Sequence, residues 1–317
     1  MTSSRQDPRY GRVAVGTALA TVLALAGCSN YSTEPTQSAS SPSALAAMKG
    51  NPNTEAVNLS EAGSAAKSAG SNFTGRLAQE YFTVATARAD SKDWVDADFF
   101  ARKSIASSKG DLVLPEENKV RSIPMQANLN TRGEMDQARA RLMAALDGGG
   151  RDKYPVLAAR TQSRYDCWLE RTEANYRAEF NGQCRQEFVA NLNDLEVLLH
   201  PPGPYQVSFD FNSATLKSEA LQTLQRAAAA LPKEGTSRLK VVAKTDTKGS
   251  DSYNQKLSDA RAEAVRTALA SDGVAASRID VTGVGEREPE VATKNGVKEP
   301  RNRVADVTAM VPEASYK

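Results

Sequence analysis

The sequence predicts an α+β chain with a β-α-β-α-β-β domain at its C-terminal end, an all-helical domain before that, and a disordered tether at its N-terminal end. Three observations carry this reading. Apolar residues recur at helical spacing between residues 73 and 200, they switch to strand alternation at residue 205, and the break His200-Pro201-Pro202-Gly203-Pro204 separates the two patterns. At 317 residues the chain has room for about two domains plus tails. Its 40 basic and 38 acidic residues leave a net charge of +2, which gives no basis for a general affinity for nucleic acid or an anionic bilayer. Any binding must be local.

At the N-terminal end, Arg5, Arg9 and Arg12 precede an uncharged apolar run over residues 13–26. A bilayer-spanning helix needs about 20 such residues, so the run fits the core of a secretory signal better. It ends in Leu25-Ala26-Gly27-Cys28, which resembles the lipobox of bacterial lipoproteins. That resemblance implies removal of residues 1–27 and acylation of Cys28 with palmitate-type chains. Ser29, where an aspartate would retain the protein at the inner membrane, implies delivery to the cell outer membrane, facing the periplasm. The alternatives are an ordinary signal peptide with a chance cysteine, or an uncleaved anchor. Residues 28–72 are rich in Ser, Ala, Thr, Asn and Pro without a sustained apolar period, and read as a flexible linker with an r.m.s. span of roughly 35 Å.

With Cys28 lipidated, Cys167 and Cys184 remain, an even number that suits one disulfide in an oxidising compartment. Their segments read as two helical pieces around a Gly-containing turn, so a bridge would staple a helical hairpin, stabilising it by about 3 kcal/mol. The other reading is two buried free thiols. With no histidine near either cysteine, no metal site is expected.

Residues 73–200 form the expected helical domain. Leu77, Tyr81, Val84 and Ala85 share one face, Ala97, Phe100, Ala101 and Ile105 another, with the turn Asp90-Ser91-Lys92-Asp93 between them. Further helical segments are expected near residues 134–146, 156–178 and 185–199. Tyr81, Phe82, Trp94, Phe99, Phe100 and Trp168 read as core, and the charged residues among them as a solvated face. No fixed-period repeat is present. The domain does not disclose its role; docking an envelope protein partner is one reading of it.

From residue 204 to 312 the pattern changes. Residues 205–211 alternate as a half-buried strand, followed by a helix with Leu216, Ala220, Leu221, Leu224, Ala227, Ala228 and Leu231 inward. A second strand is expected at 238–243. A long helix over residues 253–270 then turns Leu257, Ala260, Ala264, Val265, Ala268 and Leu269 inward, with Ser252 and Gln255 at capping-box spacing. Strands near 279–283 and 304–311 complete a mixed sheet with helices on one face.

Four segments of this domain, Val207-Ser208-Phe209-Asp210-Phe211-Asn212, Thr245-Asp246-Thr247-Lys248-Gly249-Ser250, residues 253–262 (YNQKLSDARA) and Val281-Thr282-Gly283-Val284-Gly285-Glu286, resemble the OmpA-like peptidoglycan-binding domain. The resemblance implies that Asp246 and Arg261 hold the diaminopimelate of the stem peptide, and that Arg303 belongs to the same peptidoglycan-binding set. The chemistry fits, because a diaminopimelate side chain ends in an ammonium and a carboxylate on one carbon. Asp246 can accept from the ammonium, and Arg261 can give two parallel N–H bonds to the carboxylate. Asn254, seven residues before Arg261, shares its helix face near the positive helix N-terminus. Thr245 and the amides before Gly249 complete the expected pocket, with Gly249 allowing positive φ. An isolated Asp246–Arg261 salt bridge is the blander alternative. Two departures from the family pattern bear on affinity: Lys244, which could compete for Asp246, and Val304, which stands where a second arginine is usual.

Together these features predict an outer-membrane lipoprotein that binds peptidoglycan non-covalently and links the membrane to the cell wall. They predict no enzyme and no cofactor, since the single histidine, His200, lies in the Pro-rich break and no Ser-His-Asp order, metal-ligand cluster or Gly-rich phosphate loop is apparent. A scaffold whose helical domain docks a partner and a cell-wall hydrolase with a hidden Glu pair are the alternatives.

Overall fold

The computed structural model describes residues 58–117, 129–174 and 182–317. The signal segment, Cys28 and most of the expected tether lie outside them. Among the described residues, six helices of ten residues or more come first: α1 Leu59–Ser68, α2 Phe73–Asp90, α3 Trp94–Ser108, α4 Leu129–Ala145, α5 Pro155–Ala174 and α6 Gly182–Leu199. Helix α1 corrects the expected tether, which gives way to regular structure at residue 59. Its buried face is Ala62, Gly63 and Ala66, small residues that let the helix lie close against α2 and α3. In sequence the same residues look like a low-complexity linker.

The turn between α2 and α3 is as expected, with Lys92 at φ 62° and Asp93 capping α3 by accepting from the Asp96 amide at 3.3 Å. Helices α2, α3, α5 and α6 surround one core that includes Leu77, Tyr81, Phe99, Phe100, Trp168 and Phe188. Each such side chain contributes about 1.5–3 kcal/mol on burial. Two readings of this region are corrected. Trp94 is only half-buried, with Lys92 over its ring, and the charged residues are not all on a solvated face. Lys103, Glu116 and Asp166 are fully buried: the Lys103 ammonium donates to Glu116 at 2.8 Å and to Asp166 at 2.6 Å. The Tyr81 hydroxyl also donates to Asp166, whose other oxygen accepts from the Glu116 amide at 2.9 Å. This network ties the extended segment after α3 to α5. Next to it, the structure joins Cys167 of α5 to Cys184 of α6 through an S–S bond.

The sheet follows, with β1 Tyr205–Ser208, α7 Ser218–Ala230, β2 Arg238–Ala243, α8 Asp251–Ser271, β3 Ile279–Gly283 and β4 Val304–Met310. Strand order is β1-β4-β2-β3; β4 runs antiparallel to both β1 and β2, and β2 pairs in parallel with β3 in the register Val241 to Val281. Val207, Leu224, Ala227, Val241, Val265, Leu269, Ile279 and Val307 form its core. The expected mixed sheet with two packed helices is therefore what the chain forms. Differences are local. Strand β1 stops at Ser208 because the chain turns at Asn212 (φ 56°), leaving Phe211 exposed. Leu221 is exposed on α7, and Ala260 on α8. The cap of α8 is Ser250, whose hydroxyl accepts from the Tyr253 amide at 3.3 Å, rather than Ser252.

Candidate functional site

One end of the sheet gathers three loops: the turn after β1, the loop from β2 to α8, and the long connection from β3 to β4. The fold of the second loop begins with the chain leaving β2. The Lys244 amide donates to the Val304 carbonyl at 2.8 Å and the Thr245 amide to the Gly285 carbonyl at 2.9 Å, which pins the chain before Asp246 to the start of β4 and to the third loop. Thr247 fastens the third loop, donating from its hydroxyl to the Lys294 carbonyl at 2.7 Å while its own carbonyl accepts from the Gly296 amide at 2.8 Å. Gly249 takes φ 129°, a conformation that L side chains rarely adopt, and a Cβ there would stand 3.1 Å from the Tyr253 ring. The close approach of β3 to α8 depends on Gly283, where a Cβ would collide with Asp259.

Asp246 is buried, and its carboxylate accepts from Arg303 at 3.1 Å, with the Lys248 amide 3.4 Å from its other oxygen. The salt bridge considered from sequence is thus made by Arg303, not Arg261. The Arg261 guanidinium is fully buried and donates to three backbone carbonyls, Ser213 at 2.9 Å, Lys244 at 2.7 Å and Asp210 at 3.1 Å. It lies 5.0 Å from the Phe209 ring centre. Burial pulls its pKa down to about 10, with Asp246 opposing the shift and Arg303 adding to it, so Arg261 remains a cation at neutral pH. The free fork expected from sequence is corrected to a brace across two loops. Of its five N–H bonds, three are engaged.

Asn254 and Arg261 do share a face of α8, both buried in the stripe Asn254, Ser258, Arg261, Val265, Leu269. Asn254 donates to the Glu286 carboxylate, while its Oδ1 is buried without a partner. The Thr245 hydroxyl is likewise buried and unpartnered. Lys244 does not compete for Asp246, because it pairs with Asp306 at 2.7 Å and with Glu290. Val304 is buried at the start of β4.

Several residues of the site were not singled out from sequence. Glu286 lines a cleft of about 430 Å³ at the start of α8, together with Asp251, Ser252, Gln255, Gly285 and Arg287. Asn302 holds the third loop by exchanging two 2.8 Å bonds with the backbone of Val291, and the Ser258 hydroxyl accepts from the Gly285 amide at 2.8 Å. Glu286 and Ser258 lie within two of the family-like segments, but Ser258 and Asn302 bond only to backbone, which leaves no pattern of partners in a sequence.

Chemically, the site combines a buried carboxylate, two unmet polar oxygens and two converging guanidinium groups. It is suited to a small zwitterion.

Residues 208–303 match the OmpA family. Outer membrane protein A of Serratia marcescens is 37% identical over 111 residues, covering 34% of this chain and 30% of that protein. The probable lipoprotein YiaD of Escherichia coli K12 is 35% identical over 105 residues, covering 33% of this chain and 48% of that one. The chain therefore spans 30% to 48% of the length of these relatives. Among solved structures, the peptidoglycan-associated lipoprotein of Burkholderia pseudomallei is 28% identical, covering 33% of this chain and 90% of that one, with a TM-score of 0.30.

Proposed function

We propose that this chain, whose C-terminal segment is an OmpA-like domain, is an outer-membrane lipoprotein that binds peptidoglycan non-covalently through the diaminopimelate of the stem peptide. It links the membrane to the wall and catalyses no reaction. The observation that carries the reading is the buried Asp246, held by Arg303 beside the unpartnered oxygens of Thr245 and Asn254, inside the family-matched segment. In this reading the ligand's ammonium binds the Asp246 carboxylate and the Asn254 Oδ1. Its carboxylate binds between Arg303 and the two N–H bonds of Arg261 not used on carbonyls. Gly249 keeps the loop backbone close to the ligand. Cys28, following Leu25-Ala26-Gly27, carries the acyl anchor, and Ser29 directs the protein to the outer membrane.

The test is sedimentation of the purified mature protein with sacculi that contain diaminopimelate, followed by muropeptide analysis of the supernatant. Co-sedimentation without released fragments, abolished by Asp246→Ala, is the expected result. Released fragments would make the protein a hydrolase, and unbound wild-type protein would remove the wall-binding reading.

A further inference from the structure

The helical bundle and the sheet domain are joined in sequence by a short Pro-rich segment, which by itself would leave relative motion as the default. The structure adds a second connection. Asp194, buried on α6, points its carboxylate at the turn that leads into β2. It accepts from the Thr236 amide at 3.0 and 2.8 Å, from the Thr236 hydroxyl at 2.7 Å and from the Ser237 amide at 2.9 Å. Beside it, Asn193 donates to the Glu234 carbonyl at 3.1 Å. The turn is shaped for this contact. Gly235 takes φ 117°, and a Cβ there would stand 2.6 Å from the Asp194 Oδ1 and 3.1 Å from the Ala190 carbonyl. From the far side Arg278 fixes the same turn, donating to the Ser237 carbonyl at 2.8 Å and the Lys233 carbonyl at 3.0 Å.

An independent strap makes the same connection. After β4 the chain runs back to the bundle, where the Tyr316 ring meets the Tyr154 ring edge-on at 5.5 Å and packs against the helical core. With its proton on Asp194, the Thr236 hydroxyl accepts from the Ser315 hydroxyl at 2.8 Å, so strap and turn are tied to each other.

We propose that Asp194 and the C-terminal strap form a latch that makes the helical bundle and the OmpA-like domain one rigid body, holding the Asp246 pocket at a fixed orientation to the bundle. Separating the two would strip a buried carboxylate of four charge-assisted contacts and expose the Tyr154–Tyr316 pair. A partner seated on the bundle would then be held at a set distance from whatever the pocket binds. The claim needs no ligand, so it stands or falls separately from the wall-binding reading.

The experiment is a pulsed electron-spin distance measurement on the full chain, with spin labels carried by non-natural residues at the exposed Lys109 and Lys256, leaving the cysteines intact. Wild type is expected to give one narrow distance distribution. Asp194→Ala and, from the other side of the contact, Gly235→Ala are each expected to lose it to a broad one while circular dichroism stays unchanged. Should Asp194→Ala fail to fold, Gly235→Ala and Tyr316→Ala still decide the matter. A broad distribution in wild type, or a narrow one retained in the folded variants, overturns the proposal.

Discussion

Replacing Arg261 by alanine separates two roles that its position in the family pattern merges. The guanidinium donates to the carbonyls of Asp210, Ser213 and Lys244, and the Asp210 carbonyl also accepts from the Ser213 amide at 3.3 Å, so Arg261→Ala leaves the half-buried Ser213 and Lys244 carbonyls without this donor. An unmet buried acceptor costs about 1–3 kcal/mol, and water entering the vacated space brings each towards the lower figure, for a total of about 2 kcal/mol. At 1.4 kcal/mol per tenfold, the two loops should open on the order of thirtyfold more often. Hydrogen exchange followed by mass spectrometry reads this directly in peptides covering residues 208–217 and 238–250, with residues 59–108 as an internal control. Arg261→Lys should fall between alanine and wild type, since an ammonium reaches fewer carbonyls than the planar fork. Unchanged protection of both peptides in Arg261→Ala would refute the brace. The loss of wall binding by this variant would then report on ligand contact alone.

Asp246→Ala should weaken sedimentation with sacculi by about 2–5 kcal/mol, because it removes the buried carboxylate proposed to meet the ligand's ammonium while leaving the three carbonyl contacts of Arg261 in place; wild-type sedimentation would count against the clamp. Cys28→Ala should release the protein from the membrane fraction in cell fractionation, and full membrane retention after washing would contradict the lipobox reading. Lys103→Met should lower the unfolding free energy, read from denaturant titration, by about 3–5 kcal/mol, since it leaves Glu116 and Asp166 buried without their cation. Denatured, unreduced protein should show no alkylation of Cys167 or Cys184, and quantitative labelling of both would mean that the pair is reduced in the cell-derived protein.

Hydrophobic periodicity located the elements of the sheet well: the expected strands 238–243 and 279–283 coincide with β2 and β3. Alternation and helical spacing are local properties, so they survive in a single sequence. What failed was long-range or made by backbone. Lys103 pairs with Asp166 across 63 residues of chain, and a charge pattern read locally assigns both to solvent. Arg261 is anchored by carbonyls, which every residue possesses, so its motif announced an arginine without announcing where three of its N–H bonds go. Ser250 and Ser252 stand equally well before a helix in sequence, and only the backbone geometry at Ser250 (φ −93°, ψ 154°) makes it the cap. Helix α1 was missed because Ala and Gly pack closely in a bundle yet also dominate linkers.

The unmet atoms of the site bear on the same point from the opposite direction. The polar groups around Asp246 are otherwise well paired: Thr247, Ser258 and Arg303 each bond to a different loop, and Asn302 bonds across its own loop to Val291. Against that background, the buried Thr245 hydroxyl and Asn254 Oδ1 stand without partners on either side of Gly249, where no side chain can fill the space without strain. Folding alone gives no benefit from burying an oxygen unpaired, since each costs free energy that an apolar residue of similar size would not. Sites where local rules are broken while their surroundings obey them are where a ligand is expected to complete the structure. An ammonium brings three N–H donors to one point, enough for Asp246 and Asn254 together. That match between missing donors and supplied donors, more than the presence of an aspartate and an arginine, is what supports the proposed zwitterionic ligand.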